Sequence, residues 1–215
     1  MTPKSEAVLS YLKKRFPNAK CTLDYASPFS LLVAISLSAQ SNDLSVNKAT
    51  PNIFKRYPDP ESLAEADIKD VEELIKSLGL YHNKAKNIIL LSKALVEKYH
   101  GEVPNDFALL TELPGVGHKT AGVYLLEIMN KPAIPVDTHV HRISDRLGYS
   151  KEKDSPDLTE RKLEKSFDKE DWGFLHHSLI AFGREVCHAK NPECERCELQ
   201  THCLYFKRNS SIKGK

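Results

Sequence analysis

Apolar residues recur at helical spacing in almost every segment of this chain, and no run of strand length alternates apolar with polar residues. That pattern confines the fold to helices packed on helices. Val71, Leu74, Ile75 and Leu78 fall at i, i+3, i+4 and i+7 after the capping residue Asp67, which predicts an amphipathic helix ending near Gly79. Ile88, Leu91 and Leu95 supply the next stripe, closed by Gly101. At Ser27-Pro28 a capping hydroxyl precedes a proline at the first helical position, and the mostly apolar run from Phe29 to Leu37 predicts a buried helix. Short polar punctuation, at Pro58-Asp59-Pro60, Gly101 to Pro104, Lys131-Pro132 and Ser155-Pro156, reads as turns rather than linkers. The expectation is an all-α protein, and 215 residues leave one large domain or two small ones open.

Several function classes are excluded or weakened. The longest apolar stretch, Phe29 to Leu37, is too short to span a bilayer, and the first sixteen residues contain no apolar signal core. No membrane partner is expected, and the chain reads as a cytoplasmic monomer. A net charge of +2 is modest for a nucleic-acid-binding protein, so any basic surface must be local. The run from Lys151 to Asp171 alternates in sign, as a solvated helical face does. Five cysteines, four of them between positions 187 and 203, point to metal ligation rather than to a disulfide framework.

The most informative stretch is LPGVGHKTAG, residues 113–122. A short helical segment, Phe107 to Glu112, precedes it and a helix through Met129 follows. Gly115 and Gly117, spaced by one residue, allow a tight turn whose amides point outward at a helix N-terminus, a site suited to an anion such as a DNA phosphate. Lys119 then falls in the first helical turn, where the dipole disfavours a cation; a larger share of neutral amine is what an amine nucleophile needs. Eighteen residues on, Asp137 in IPVDTHVHR follows an extended segment and reads as the N-cap of a helix carrying Arg142. Besides capping, a carboxylate there could accept a proton and stabilise positive charge developing at a sugar carbon.

Cys187, Cys194, Cys197 and Cys203 form a C-x6-C-x2-C-x5-C array. Its central pair places two thiolates on one turn, and by spacing alone structural zinc stands at least level with an iron-sulfur cluster. Cys21, far from the array, reads as a buried small apolar residue.

Taken together, LSAQSNDLSVNKAT (37–50), GLYHNKAKNI (79–88), GEVPND (101–106), LPGVGHKTAG (113–122), VDTHVHR (136–142) and the cysteine array make the chain resemble the endonuclease III family of helix-hairpin-helix DNA glycosylases over nearly its whole length. The resemblance implies two helical domains flanking a DNA-binding cleft. One would be a six-helix domain, 21–131, containing the hairpin; the other, 1–20 with 132–215, would hold a [4Fe–4S] cluster on the four cysteines. It implies a bifunctional glycosylase and abasic-site lyase acting on double-stranded DNA with oxidised pyrimidines or abasic sites, with Lys119 as nucleophile and Asp137 as its catalytic carboxylate. Residues implied to meet DNA are Leu113, Gly115, Val116, Gly117 and His118 of the hairpin, Lys190 of the cysteine loop, Gln40, which fills the hole left by the flipped nucleotide, and Leu80, a wedge beside the opposite strand. Where the family often carries arginine before the lysine this chain has His118, and its 188–193 loop holds Lys190 alone with Glu193 toward the phosphates; the DNA grip is therefore expected to rest on the hairpin. Related adenine glycosylases lack the lysine and place a glutamate on the early buried helix; SLLVAISLSAQ (30–40) has no carboxylate. Their activity is the alternative within the class, and a non-catalytic DNA-binding module or an iron-sulfur redox carrier are the alternatives outside it.

Overall fold

The computed structural model describes residues 1–213, and its regular elements are helical throughout. Contacts sort the chain into two compact units, Thr22–Lys131 and Met1–Cys21 with Pro132–Lys215; the dividing line falls just after Cys21.

The Thr22–Lys131 unit contains α2 (Pro28–Ser38), α3 (Asp43–Arg56), α4 (Pro60–Ala64), α5 (Ile68–Ile75), α6 (Tyr81–Tyr99), α7 (Phe107–Thr111) and α8 (His118–Met129). Helix α2 is its hub, as its apolar run requires: Leu31, Leu32, Val33, Ala34 and Leu37 are fully buried, and the helix packs on α3, α6 and α8. Ser27 caps it by accepting from Ser30 N, and Ser30 Oγ accepts in turn from Ser27 N at 2.8 Å, closing a capping box. Asn42, Asp59, Asp67 and Asp106 cap α3, α4, α5 and α7 in the same manner.

Helix α5 stops at Ile75, four residues short of the expected end at Gly79. Leu78 keeps its place in the core, 2% exposed, through a turn in which its amide donates to Ile75 O at 2.8 Å. The apolar spacing therefore outlasts the helix.

The other unit is built from α1 (Pro3–Arg15), α9 (Thr138–Leu147), α10 (Pro156–Ser166), α11 (Trp172–Glu185) and α12 (Leu204–Lys213), with short 3-10 turns between α11 and α12. Its core joins Val8 and Leu12 of α1 to Ile143, Leu175, Leu179 and Phe182. Tyr11 meets Phe182 edge-on at 5.6 Å. Among the described residues no helix is long and apolar enough to cross a membrane.

Candidate functional site

Three apolar pegs build the hairpin. Leu110, Leu113 and Val116, each three residues from the next, are 0%, 4% and 5% exposed. Two turns link them, Leu113 N donating to Leu110 O and Val116 N to Leu113 O, both at 3.1 Å. With the pegs inward, Gly115 and Gly117 face outward, and their amides meet no acceptor among the described residues. The side chains of Leu113 and Val116 are thus spent on packing, and their amides on the turn, so the outward donors belong to the glycines and to the start of α8.

The two glycines do different things. Gly115 has φ +77°, in the left-handed region, and an added Cβ would stand 3.0 Å from Asn87 Cβ. Gly117 has φ −94° and ψ 179°, with nothing within 4 Å of an added Cβ. Of the two glycines expected to allow the tight turn, only Gly115 needs freedom from a β-carbon for it. Gly117 is also the N-cap of α8 and offers no capping side chain, which leaves the first-turn amides of that helix directed at whatever approaches.

Lys119 is the second residue of α8 and is half-buried. His118 before it is exposed and packs edge-on against Phe107 of α7, ring centroids 4.9 Å apart.

Gln40 and Leu80 share an unusual backbone. Gln40 has φ 53° and Leu80 φ 59°, both left-handed, a conformation that costs a non-glycine residue roughly 1–2 kcal/mol. Both are exposed, Leu80 at 57%. The loops that carry them adjoin, for a Cβ on Gly79 would lie 3.5 Å from Gln40 O. Leu80 is the N-cap of α6 and, like Gly117, gives no side-chain cap.

In the other unit, the buried extended segment Ile134, Pro135 and Val136 delivers Asp137 to the start of α9. One oxygen, Oδ1, accepts from Val140 N at 2.8 Å; Oδ2 has no partner among the described residues. Capping therefore uses half of the carboxylate. His139, which the sequence reading does not single out, is half-buried nearby. Desolvation pushes its pKa down from 6.5, the charge of Asp137 pulls it up, and Arg142 and Arg184 push it down again. Arg142 Nη2 approaches His139 Nδ1 at 3.1 Å and donates to Cys187 O at 3.0 Å and Gly183 O at 3.2 Å.

All four array cysteines line one cavity with about 390 Å³ of atom-free space, part of it open to solvent, walled by Leu147, Phe182, Val186, Leu199 and Phe206. Among the described residues no three His, Cys, Asp or Glu side chains converge as ligands of a single ion. Arg146, 8% exposed, reaches the cavity from α9: its Nη1 donates to Cys187 Sγ at 3.2 Å and His188 O at 2.7 Å, and its Nη2 to Ala189 O at 3.0 Å. Phe206 N donates to Cys203 Sγ at 3.5 Å. Burial pushes the Cys197 thiol up to about 11 and raises Cys187 also, although Arg146 pulls the latter down. Burial thus favours the neutral thiols, and a cationic centre would be needed to hold Cys197 as a thiolate.

Lys190 is exposed, as a DNA contact must be, but Glu193 is taken up by Arg196 at 2.6 Å and His188 at 3.6 Å. Its charge is matched within the loop, and Arg196 adds a basic group that the sequence reading passes over.

Residues 33–169 match the family model described as HhH-GPD superfamily base excision DNA repair protein. Endonuclease III of Bacillus subtilis (strain 168) is 46% identical over 198 residues, 92% of this chain and 90% of that protein. A solved endonuclease III trapped with DNA as a covalent intermediate is 43% identical, covers 98% of this chain and 100% of its own, and superposes with a TM-score of 0.92. A non-covalent endonuclease III–DNA complex gives 0.93 at the same identity and coverage. Agreement of this extent, reaching from the buried α2 through the hairpin to the cysteine loop, makes the chain a member of the HhH-GPD superfamily of base excision DNA repair proteins, in its endonuclease III family.

Proposed function

We propose that the chain is a bifunctional DNA glycosylase and abasic-site lyase that removes oxidised pyrimidines from duplex DNA, with Lys119 as the nucleophile. The observation that carries this is the placement of Lys119 in the first turn of an uncapped helix, directly after a turn with two outward glycine amides. An anion site adjoins an amine, as attack beside a DNA phosphate demands.

The chemistry divides into two steps. Neutral Nζ attacks C1′, the bond from C1′ to the base breaks with its electron pair leaving on the base, and opening of the sugar ring gives a protonated imine. That imine acidifies the C2′ hydrogen; its loss as a proton expels the 3′ phosphate and cuts the strand, and water then releases Lys119. Asp137 supports both steps with its uncommitted Oδ2, which stabilises the cationic sugar and can accept a proton. Gln40 and Leu80, exposed on adjoining strained turns, are suited to enter the stack as the damaged nucleotide leaves it. The hairpin amides grip the backbone without reading sequence.

Cys187, Cys194, Cys197 and Cys203 would hold a [4Fe–4S] cluster. Support comes from one cavity with apolar walls lined by all four thiols, together with the Arg146 and Phe206 donors aimed at sulfur. Bound there, the cluster would fasten the 187–203 loop and present Lys190 and Arg196. The enzyme would act as a monomer in the cytoplasm.

The test is borohydride reduction during turnover on a duplex with an oxidised pyrimidine. A covalent protein–DNA adduct is expected from the parent and none from Lys119→Ala. An adduct at parental yield from the alanine variant would assign the nucleophile to another amine.

A further inference from the structure

Lys84 is the exception within α6. It lies on the buried stripe that continues through Ile88, Leu91 and Leu95, yet it carries a charge and is only 6% exposed. Its Nζ donates to Ser41 Oγ at 2.6 Å, and no carboxylate pairs with it among the described residues. Burial pushes its pKa down, with no neighbouring charge offsetting the effect. A buried ammonium held by one hydroxyl is costly, and a methionine of similar length would fill the same space without that cost.

What the residue gains is connectivity. Its backbone amide donates to Leu80 O at 3.1 Å, while its ammonium holds Ser41, the immediate neighbour of Gln40. We propose that Lys84 is a positioning residue that clamps the Gln40 turn to the Leu80 turn, so that the two enter the DNA stack as one rigid unit. The clamp rests on the reading of Gln40 as plug and Leu80 as wedge.

Both loops hold left-handed non-glycine residues, a backbone that persists only where the surroundings over-determine it. Leu80 receives that support through the main chain of α6. Within the other turn Ser41 N donates to Ser38 O at 3.0 Å, and Lys84 provides the side-chain tie from α6. Without the tie, each turn keeps its own shape but loses registration with the other. Lesions held in a sound base pair should then suffer most, since extrusion from the stack is the step the wedge and plug assist.

The experiment measures single-turnover excision of one oxidised pyrimidine in two duplexes, one with the lesion correctly paired and one with it bulged opposite no base. Lys84→Met is expected to slow excision from the paired duplex by about tenfold or more and from the bulge by less than about twofold, because the bulged base has already lost its pairing. Its melting temperature should stay level or rise. Ser41→Ala should give the same split, and the double variant should be no worse than either single one. Equal slowing on both duplexes, or on neither, overturns the clamp, and Ser41→Ala decides the matter alone should Lys84→Met fold poorly. Leu80→Ala and Gln40→Ala test the underlying reading. If they show no preference for the paired lesion, the wedge and plug assignments fall; if they show it and Lys84→Met and Ser41→Ala do not, those assignments stand and the clamp is wrong.

Discussion

Replacing the hairpin glycines one at a time by alanine separates the turn's architecture from its contact with DNA. At Gly115 the methyl meets two obstacles. The φ of +77° costs a residue with a β-carbon roughly 1–2 kcal/mol, before the 3.0 Å approach to Asn87 Cβ is counted. In a protein of this size each kcal/mol lowers the melting temperature by about 2–4 °C, so Gly115→Ala should melt some 2–8 °C early. Gly117→Ala meets neither obstacle, because φ is −94° and the space around the new methyl is open. Because Gly117 is the N-cap of α8 and alanine caps worse than glycine, stability should fall by about 0.5–1 kcal/mol, less than at Gly115. The open space is where a phosphate is proposed to lie, so the methyl should weaken duplex binding and reduce the log–log salt slope by roughly one unit if one phosphate contact is lost. Thermal melts and salt titrations of fluorescence anisotropy on undamaged duplex give both quantities. A Gly117→Ala protein that folds and binds duplex as the parent does at every salt concentration would refute the hairpin as a phosphate site.

Asp137→Asn should retain duplex affinity and melting temperature, since asparagine caps a helix as well as aspartate, yet slow base removal by about 10²–10³; a rate within twofold of the parent in a single-turnover assay would reduce Asp137 to a cap. If the proposed cluster is bound, the parent should be brown and carry iron and sulfide, Cys197→Ser should lose most of both, and Cys21→Ser should keep them; iron content and the visible spectrum decide this. The depressed pKa of His139 means that the unfolded chain binds its proton more readily than the folded one as pH falls below 6.5. Its contribution is therefore complete above 6.5 and is lost as pH drops toward the folded pKa, at a slope of at most about 1.4 kcal/mol per pH unit. The difference in stability between the parent and His139→Gln should shrink over that window, and an unchanged difference would remove His139 from the account.

Features governed by local chemistry were legible in the sequence. Ser27, Asp67 and Asp137 cap the helices they precede because the side chain that satisfies an end amide lies within three residues of it. Gly115 and Gly117 look alike in sequence, but which of them turns left-handed is set by the pegs at Leu113 and Val116 and by Asn87, a residue of another helix. The reach of Arg146 to Cys187, over 41 residues, has no local signature at all. Lys84 is a different case: positions 84, 88, 91 and 95 fall on one helical face, and the periodicity alone exposes a lone lysine on an otherwise apolar stripe. Only the contact with Ser41, 43 residues away, gives that lysine a use.

Within the Thr22–Lys131 unit, departures from local rules gather around two helix starts and the turn that adjoins one of them. Between Thr22 and Lys131, helices α2, α3, α4, α5 and α7 begin on a side chain that caps them, while α6 and α8 begin on Leu80 and Gly117, which cap nothing. A leucine in place of a capping residue forgoes about 1 kcal/mol and a glycine only a few tenths, while a left-handed leucine or glutamine costs roughly 1–2 kcal/mol. The buried Lys84 adds to this total within the same few turns. Helix packing alone explains none of these choices, since a serine at 117 or an apolar residue at 84 would serve it better. Each leaves something available that a stable fold would have consumed: helix-end amides at α8, two exposed side chains on stiff turns, and a tie between those turns. Base extrusion needs donors that hold the backbone still and a rigid body that displaces the base, and both must be in place before DNA arrives. The stability forgone at these positions is thus the structural counterpart of the reaction, and the well-packed α2 core behind them is what allows the unit to carry it.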